Sequence, residues 1–366
     1  MSFFTCGFVG LGLIGGSIAK ALKQNIPGIR IVAHDVNQTA LQAALSEQVI
    51  DQALPAVGEG FSSCDYLFLS APAPKNAENL TRLKKYLSPN CLLTDVGSVK
   101  ADIHRHVEAL GLSGQFIGGH PMAGSERCGY QNSKAVLLEN AYYILTPTDR
   151  TPPEKTAAYR ELVLKIKALP LILTQAEHDY ATAAVSHLPH IIAASLVNLV
   201  RDSDTKEELM KLIAAGGFKD ITRIASSSAS MWEQICLTNA EHISALLGHY
   251  METLASIKEQ LERRQSQELY WLFDSARVYR ESFLDVSSGP IKTSYSLSVD
   301  IADEPGALAS IATILALNQI SIKNIGITHN REAEEGVLLI EFYEKEAMEK
   351  AGYILRAKGY RLYGRK

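Results

Sequence analysis

The sequence predicts three successive domains: an α/β domain over residues 1–175, an all-α domain over residues 176–288 and a small α+β domain over residues 292–366. Three observations lead to this prediction. Strand-like apolar runs alternate with helical stretches in the first part, helical periodicity alone fills the second, and a βαββα order follows in the third. A chain of 366 residues is also too long to form one ordinary core.

The first domain is expected to contain a parallel sheet that helices cover on both faces, because strands and helices alternate along the chain. A helix after Pro153 and one further strand complete the domain near residue 175. The predicted strands are residues 3–9, 29–34, 66–70, 91–94, 116–117, 141–145 and 171–173.

The second domain shows no strand pattern, and long helical periodicity runs from Glu177 to about Val286. So much apolar helix surface without a sheet to cover it favours burial against a second subunit, so we expect a homodimer. An ordinary single-chain helical bundle is the alternative.

The third domain begins after the turn signal Ser287-Ser288-Gly289-Pro290. Its pattern predicts an α+β fold of the ferredoxin-like kind. The predicted elements are strand 295–301, helix 307–317, strands 320–327 and 336–343, and helix 345–358.

Composition excludes several classes of protein. The net charge of −4 is spread along the chain without a basic run, so no nucleic-acid partner is expected. The five cysteines are scattered and form no CxxC pair, which favours reduced thiols in the cytoplasm over disulfides or a metal site. No apolar run is expected to approach the roughly 18 residues of a membrane span.

A dinucleotide fingerprint follows the first predicted strand. Gly10 permits a tight turn, Gly12 lets the backbone approach a pyrophosphate, and Gly15 lets helix and strand pack closely. Asp35 ends the second strand twenty positions after Gly15, where a carboxylate binds ribose hydroxyls and repels a 2′-phosphate. The pattern predicts a Rossmann-like domain that binds NAD, with a purely structural glycine turn as the alternative. The remaining predicted cofactor residues are Leu13, Ile14, Ala71 and Pro72.

A candidate catalytic histidine lies in the glycine-rich string of residues 118–126. The imidazole of His120 beside a nicotinamide site can take a hydroxyl proton while a hydride leaves carbon. Ser98 follows the fourth strand at the carboxyl edge of the sheet, where its hydroxyl can hold the imidazole in one tautomer and contact the nicotinamide. The alternative is that His120 is merely solvated.

The helical domain adds two further strings of interest. His187 and His190 lie on one helix face, and Pro189 between them predicts a kink. No third ligand has metal-like spacing, so no metal is expected, and one of the two histidines can be an ordinary core residue. Asp220 and Arg223 are either a solvated surface pair or a clamp for a substrate carboxylate, since arginine binds carboxylates best.

These strings together closely resemble the prephenate dehydrogenase family of the bacterial tyrosine pathway, over nearly the whole chain. The matching strings are residues 10–15, 95–100, 119–126, 186–190 and 218–225. The resemblance implies NAD-dependent oxidative decarboxylation of prephenate to 4-hydroxyphenylpyruvate. Loss of CO₂ restores aromaticity, so the protein has only to align hydroxyl, hydride path and carboxylate.

The resemblance also implies roles for individual residues. His120 accepts the proton of the ring hydroxyl, Ser98 orients His120, and Arg223 grips the ring carboxylate with His190 close by. Asp220 positions Arg223. Glu126 is a gate residue at the pocket mouth and Trp232 a packing residue beside it. The implied substrate-binding residues are Arg223, His190, His187, Asp220 and Glu126.

Residues 295–366 resemble an ACT domain, a module that binds amino-acid effectors. On a tyrosine-pathway enzyme this implies feedback inhibition by tyrosine, with Asp303 and Asn324 as candidate effector residues.

Three other functions remain open. Arogenate dehydrogenase catalyses the same chemistry on a substrate with an amino group in place of the side-chain ketone. A non-catalytic, amino-acid-sensing dimer would use the nucleotide domain as a scaffold, although it would not need Ser98, His120 and Arg223 together. A 3-hydroxy-acid dehydrogenase would need a catalytic lysine in the helical domain, for which Lys219 is the candidate.

Overall fold

The computed structural model describes residues 4–124, 127–285, 295–301, 304, 306–328 and 336–363. The chain divides into two compact units, Met1–Ser256 and Ile257–Lys366.

The first unit is built on a five-stranded parallel sheet with the strand order β3-β2-β1-β4-β5. Aromatic stacking fixes its centre, where Phe8 and Phe68 lie 4.7 Å apart between ring centroids. The strands are β1 (Thr5–Val9), β2 (Arg30–His34), β3 (Gln52–Ala53), β4 (Tyr66–Leu69) and β5 (Leu92–Asp95). The helices that connect them and follow them are α1 (Leu13–Asn25), α2 (Gln38–Ser46), α3 (Ala73–Leu83), α4 (Ala101–Ala109) and α5 (Pro153–Lys165).

Three further strands extend this core: β6 (Ile117–Pro121), β7 (Tyr142–Pro147) and β8 (Leu169–Ile172). A parallel bridge between Leu93 and Phe116 joins β5 to the residue before β6. β7 runs antiparallel to β6, so the expectation of a wholly parallel sheet is wrong here. Only short 3₁₀ turns connect these two strands among the described residues, whereas parallel pairing normally uses a crossover helix.

The described residues from 175 to 285 form helices without a strand, as the sequence predicts. They are α6 (Gln175–Thr182), α7 (Leu188–Ser203), α8 (Leu209–Ile213), α9 (Gly216–Thr222), α10 (Ala229–Thr238), α11 (Ala240–Glu262) and α12 (Ser266–Asp285). A π-helical turn, Ala183–His187, joins α6 to α7 directly before Pro189. The disturbance expected at Pro189 therefore takes the form of a widened turn, a feature often found at functional sites.

The helices expose many large apolar side chains. Leu212, Leu237 and Phe273 are each more than 70% exposed in the single chain, and Ile243 is among the few buried ones. Such a surface is typical of a helix face that a partner covers.

One stretch, Gln175–Ser203, is long and apolar enough to cross a membrane. The expectation that no segment reaches this length is therefore wrong by length and composition. A single helix of this kind is weak evidence for a span. Its first turns also carry polar side chains buried against the sheet domain, described below, which a lipid-exposed helix would not have.

The second unit contains a four-stranded antiparallel sheet with the order β10-β11-β9-β12. The predicted βαββα order is confirmed, and the bounds of its first strand and first helix agree with the prediction. A short last strand extends it. The elements are β9 (Tyr295–Ile301), α13 (Ala307–Leu317), β10 (Ile322–Thr328), β11 (Gly336–Phe342), α14 (Lys345–Ala357) and β12 (Leu362–Tyr363).

Candidate active site

The glycine fingerprint forms a cradle at the carboxyl end of β1. Gly10 has φ +100°, and a Cβ there would lie 2.7 Å from the backbone nitrogen of Ala71. Apart from its chain neighbours, no described residue has an atom within 4 Å of the Cβ position of Gly12, so the backbone is open to a ligand at this point. The first turn of α1 has no acidic residue and no side-chain cap, which leaves its N–H groups available to phosphates.

The residues around the glycine cradle also suit a dinucleotide. Asp35 is fixed at the end of β2, where its carboxylate accepts the N–H groups of Leu11 at 2.6 Å and Asn37 at 2.7 Å. The Ser70 hydroxyl is buried and has no hydrogen-bond partner in the described part of the chain. The buried Asn76 side chain accepts the Ala71 N–H at 3.2 Å and so fixes the turn before Pro72. Leu13 and Ile14 begin α1 as expected. The residues present therefore fit NAD.

His120 lies on β6 and contacts a residue that the sequence did not single out. Its Nδ1 is 2.8 Å from Nε2 of His178 on α6, and Nδ1 of His178 is 2.7 Å from Oδ1 of Asp179. His178 and Asp179 are fully buried. Asp179 also accepts the backbone N–H groups of Lys100 and Ala101, both at 2.8 Å, and so caps the N-terminus of α4.

This chain of contacts assigns the tautomers. The Asp179 carboxylate accepts hydrogen bonds only, so Nδ1 of His178 carries a proton and its Nε2 accepts one from Nδ1 of His120. Nε2 of His120 is then the free, unprotonated nitrogen. The arrangement resembles the way in which a carboxylate fixes the histidine of a hydrolase triad.

The electrostatic surroundings favour neutral His120 and ionised Asp179, the two ends of this series of hydrogen bonds. Burial, followed by the charges of His178, Lys100 and His187, lowers the pKa of His120 well below its ordinary value. Burial alone raises the pKa of Asp179, but the hydrogen bonds from His178 and from the Lys100 backbone outweigh it and lower that pKa overall. His120 is therefore a neutral base at physiological pH, and Asp179 is ionised.

Ser98 does not hold His120 as expected. It is partly buried after β5, and no hydrogen bond joins these two described residues. His178 takes the position at Nδ1 because α6 packs against the α4 N-terminus and carries His178 to the imidazole. The sequence signal for His178 is weak: a His-Asp pair inside a helix that opens with a Thr174–Glu177 capping box.

The histidines of the helical domain lie in different environments. His187 is buried, and its Nδ1 accepts the side-chain amide of Asn239 at 3.1 Å, which leaves an Nε2–H donor. Burial lowers the pKa of His187 to about 4. His190 is partly exposed, donates from Nδ1 to the Ser186 carbonyl at 2.8 Å and stacks on Trp232 at 3.7 Å between centroids.

Trp232 adds a donor to this group. Its indole Nε1 is buried without a hydrogen-bond partner among the residues that the structure describes. An unpaired buried N–H is costly unless a ligand or water accepts it. The group of His187, His190 and Trp232 therefore has spare capacity to bind a polar ligand.

Arg223 is exposed at the end of α9, and its charge contributes to lowering the pKa of His190, after the larger effect of burial. Asp220 is exposed and forms no salt bridge with Arg223 in the described part of the chain, contrary to expectation. The α-helix ends at Thr222 and a 3₁₀ turn begins at Arg223, so the i,i+3 alignment of an α-helix is lost. Glu126 lies outside the described residues.

Two family models match the chain in succession. Residues 18–171 match the nucleotide-binding domain of prephenate dehydrogenase, and residues 174–275 match its dimerization domain. Prephenate dehydrogenase of Bacillus subtilis is 37% identical over 95% of this chain and 95% of its own length. That of Lactococcus lactis is 34% identical over 95% of this chain and 96% of its own.

The chain belongs to the prephenate dehydrogenase family.

Solved structures of this family share the fold. The complex of prephenate dehydrogenase from A. aeolicus with hydroxyphenyl propionate and NAD⁺ has a TM-score of 0.73 at 31% identity, over 77% of this chain and 99% of that one. Arogenate dehydrogenase of Synechocystis has a TM-score of 0.69 at 30% identity, over 76% of this chain and 100% of that one. The resemblance found in the sequence is thus confirmed, and with it the family's reaction, the NAD-dependent oxidative decarboxylation of prephenate.

Proposed function

We propose that His120 is the base with which this protein converts prephenate to 4-hydroxyphenylpyruvate in tyrosine biosynthesis. This proposal is based on the series of hydrogen bonds from Asp179 through His178 to His120, which leaves Nε2 of His120 unprotonated. The Gly10–Gly15 cradle would hold NAD⁺, which would supply the hydride acceptor. His120 takes the proton of the ring hydroxyl as the hydride leaves the same carbon.

The overall reaction releases no net proton, which suits a base that is shielded from water. The ring oxygen carries a hydrogen in both prephenate and 4-hydroxyphenylpyruvate, while the carboxylate leaves as CO₂, so the conversion releases no net proton. His120 therefore holds the proton and returns it to the phenolic oxygen. His178 and Asp179 stabilise the transient imidazolium through Nδ1, and their burial keeps water from taking the proton.

Arg223 is the proposed clamp for the ring carboxylate. Its charge lies near His190, and the unpaired Nε1–H of Trp232 belongs to the same group. His187 is proposed to contribute through its Nε2–H and Ser98 to serve the nicotinamide. Asp220 and Glu126 are the remaining residues that we propose for substrate binding.

Replacing Arg223 by Ala is expected to raise KM for prephenate by about 10- to 150-fold, because a charge-assisted contact is worth roughly 1.5–3 kcal/mol. The kcat at saturating prephenate should change much less. Steady-state kinetics measure both constants. Arg201→Ala is the matched control, since Arg201 is an exposed arginine of α7 that pairs with Asp202. Equal KM values in the two variants would contradict the proposed clamp.

Prephenate is the proposed substrate in preference to arogenate. Two relatives that match 95% of this chain, at 37% and 34% identity, are both prephenate dehydrogenases. Asp35 disfavours NADP. NADH formation at saturating NAD⁺ should be rapid with prephenate and slow with arogenate, and NADP⁺ should be a poor substitute. Rapid turnover of arogenate alone would retain the mechanism but change the substrate, and no turnover of either would favour the sensing-scaffold alternative.

The helical domain is proposed to form a homodimer in the cytoplasm. Residues 174–275 match the family's dimerization domain, and the exposed apolar side chains of α8, α9 and α10 provide a surface for it. All five cysteines are free thiols, as a reducing compartment requires.

The antiparallel sheet of the second unit is proposed to bind tyrosine as a feedback inhibitor. Of the two candidate effector residues, Asp303 lies outside the described residues. Asn324 is exposed on the edge strand β10, next to a register shift, and its Oδ1 accepts the N–H of Ile325 at 2.9 Å.

Replacing Asn324 by Ala in the full chain should raise the tyrosine concentration for half-maximal inhibition by about fivefold, the equivalent of one hydrogen bond. The kcat without tyrosine should stay unchanged. Asn318→Ala, at the C-terminal end of α13, is the control. Competitive inhibition by tyrosine against prephenate, unaltered in Asn324→Ala, would place the effector in the active site instead.

A further inference from the structure

A buried ion pair lies beneath β6, the strand that carries His120. None of the roles proposed so far uses this pair. Nζ of Lys100 is 2.5 Å from Oδ2 of Asp95, and the Lys100 side chain is fully buried. Burying two charges costs several kcal/mol per ion, and apolar side chains of similar size are often as stable or more stable. The pair is therefore poorly explained by stability alone.

The Asp95–Lys100 pair hydrogen-bonds to both backbone groups of Gly119, the residue directly before His120. The N–H of Gly119 donates to Oδ1 of Asp95 at 3.2 Å, and its carbonyl accepts from Nζ of Lys100 at 2.8 Å. The fit is close, since a Cβ on Gly119 would lie 2.6 Å from the Asp95 carbonyl oxygen. The Asp95–Lys100 pair thus fixes the backbone on which His120 is carried.

Lys100 also holds the partner of His120. Its backbone N–H donates to Oδ1 of Asp179 at 2.8 Å, and the same oxygen is 2.7 Å from Nδ1 of His178. One residue therefore bonds to β6 through its side chain and to α6 through its backbone. These are the two elements that must meet for Nδ1 of His120 to reach Nε2 of His178.

We propose that Lys100, paired with Asp95, is a positioning residue that sets the contact between His120 and His178. The proposal rests on His120 being the base. The charged and titratable groups around His120 are Lys100 and Asp95 below β6, His178 and Asp179 on α6, and His187 in the π turn. Among them, Lys100 contributes a positive charge that opposes protonation of His120.

Replacing Lys100 by Met removes this charge and the donor to Gly119 while retaining an unbranched side chain. We expect kcat to fall by about 10²-fold, as a misplacement of about 1 Å can cause, with KM for prephenate changed by less than about threefold. The loss of a nearby positive charge raises the pKa of His120. Since the neutral form is active, the acidic limb of the kcat profile should move to higher pH.

Lys23 offers a matched control. Lys23 lies in the last turn of α1. Its Nζ donates to the Asp51 carboxylate at 2.8 Å and to the Ile29 carbonyl at 3.1 Å, so it joins a carboxylate to a backbone carbonyl as Lys100 does. Lys23→Met should retain the wild-type kcat and pH profile. If Lys100→Met folds and behaves like Lys23→Met, the proposal is overturned.

A second variant covers the case in which Lys100→Met does not fold, because it leaves Asp95 unpaired. Asp95→Asn combined with Lys100→Met removes both charges. A folded double variant with low kcat and nearly normal KM supports the positioning role, and a folded one with wild-type kcat overturns it. His120→Asn distinguishes a failure of the proposed base from a failure of the role proposed for Lys100. If His120→Asn is inactive while Lys100→Met is normal, only the role of Lys100 is wrong.

Discussion

Replacing His120 by Asn is expected to lower kcat by about 10²- to 10⁴-fold, the range that a general base contributes. Asn retains a polar side chain near Nδ1 but has no unprotonated nitrogen in the position of Nε2. Prephenate and NAD⁺ binding should change little, because Arg223 and the glycine cradle are separate from this nitrogen. NADH absorbance gives kcat, and calorimetry of the inactive variant gives the affinity for prephenate.

The control for this variant is His106→Asn. His106 is an exposed histidine of α4 whose ring contacts the backbone carbonyl of Asp102, away from the proposed base. It should leave kcat unchanged. Near-normal kcat in His120→Asn would mean that the proposed mechanism is wrong.

The same base also predicts the pH dependence of the wild-type enzyme. Burial first, and then neighbouring charges, lower the pKa of His120, and its neutral form is the active one. The kcat should therefore be flat through about pH 6.5, where an ordinary histidine titrates, and fall only at more acidic pH. A loss of half the activity at pH 6.5 would contradict this assignment.

Replacing His178 by Leu is expected to lower kcat by about 10²-fold or more, because the proton on Nδ1 of His120 loses its acceptor and the tautomer is no longer fixed. KM for prephenate should change little, since His178 is fully buried behind His120. His178→Gln should retain more activity than His178→Leu, because the amide oxygen of Gln can accept the same hydrogen bond.

His104 provides the matched control for His178. It is a neighbouring histidine on α4 with a pKa lowered to about 4, mainly by burial, but its Nε2 contacts the Thr146 hydroxyl at 2.9 Å. His104→Leu should keep kcat within a few-fold of wild type. If the two leucine variants lose activity equally, His178 acts only as a packing residue.

Local sequence was sufficient to find the cofactor cradle and to single out His120, the base proposed here. The GxGxxG fingerprint and Asp35 each depend on a few adjacent residues whose conformation the local turn dictates. The same is true of the elements, and helix 307–317 and strand 295–301 were predicted with their observed bounds. A period of 3.6 or 2 in apolar side chains reports on local geometry and needs no distant contact.

Tertiary structure alone decided how the base is held. His120 meets His178 across 58 positions of sequence, and Lys100 meets Asp179 across 79. The direction of β7 and the absence of a Ser98–His120 bond follow from the same kind of distant packing. No local period encodes which helix docks beside a given strand, because that choice depends on the summed burial of many side chains far apart in the chain. The sequence by itself therefore determined the family and the cofactor motif and singled out His120, while the folded chain determined which residues contact the imidazole of His120.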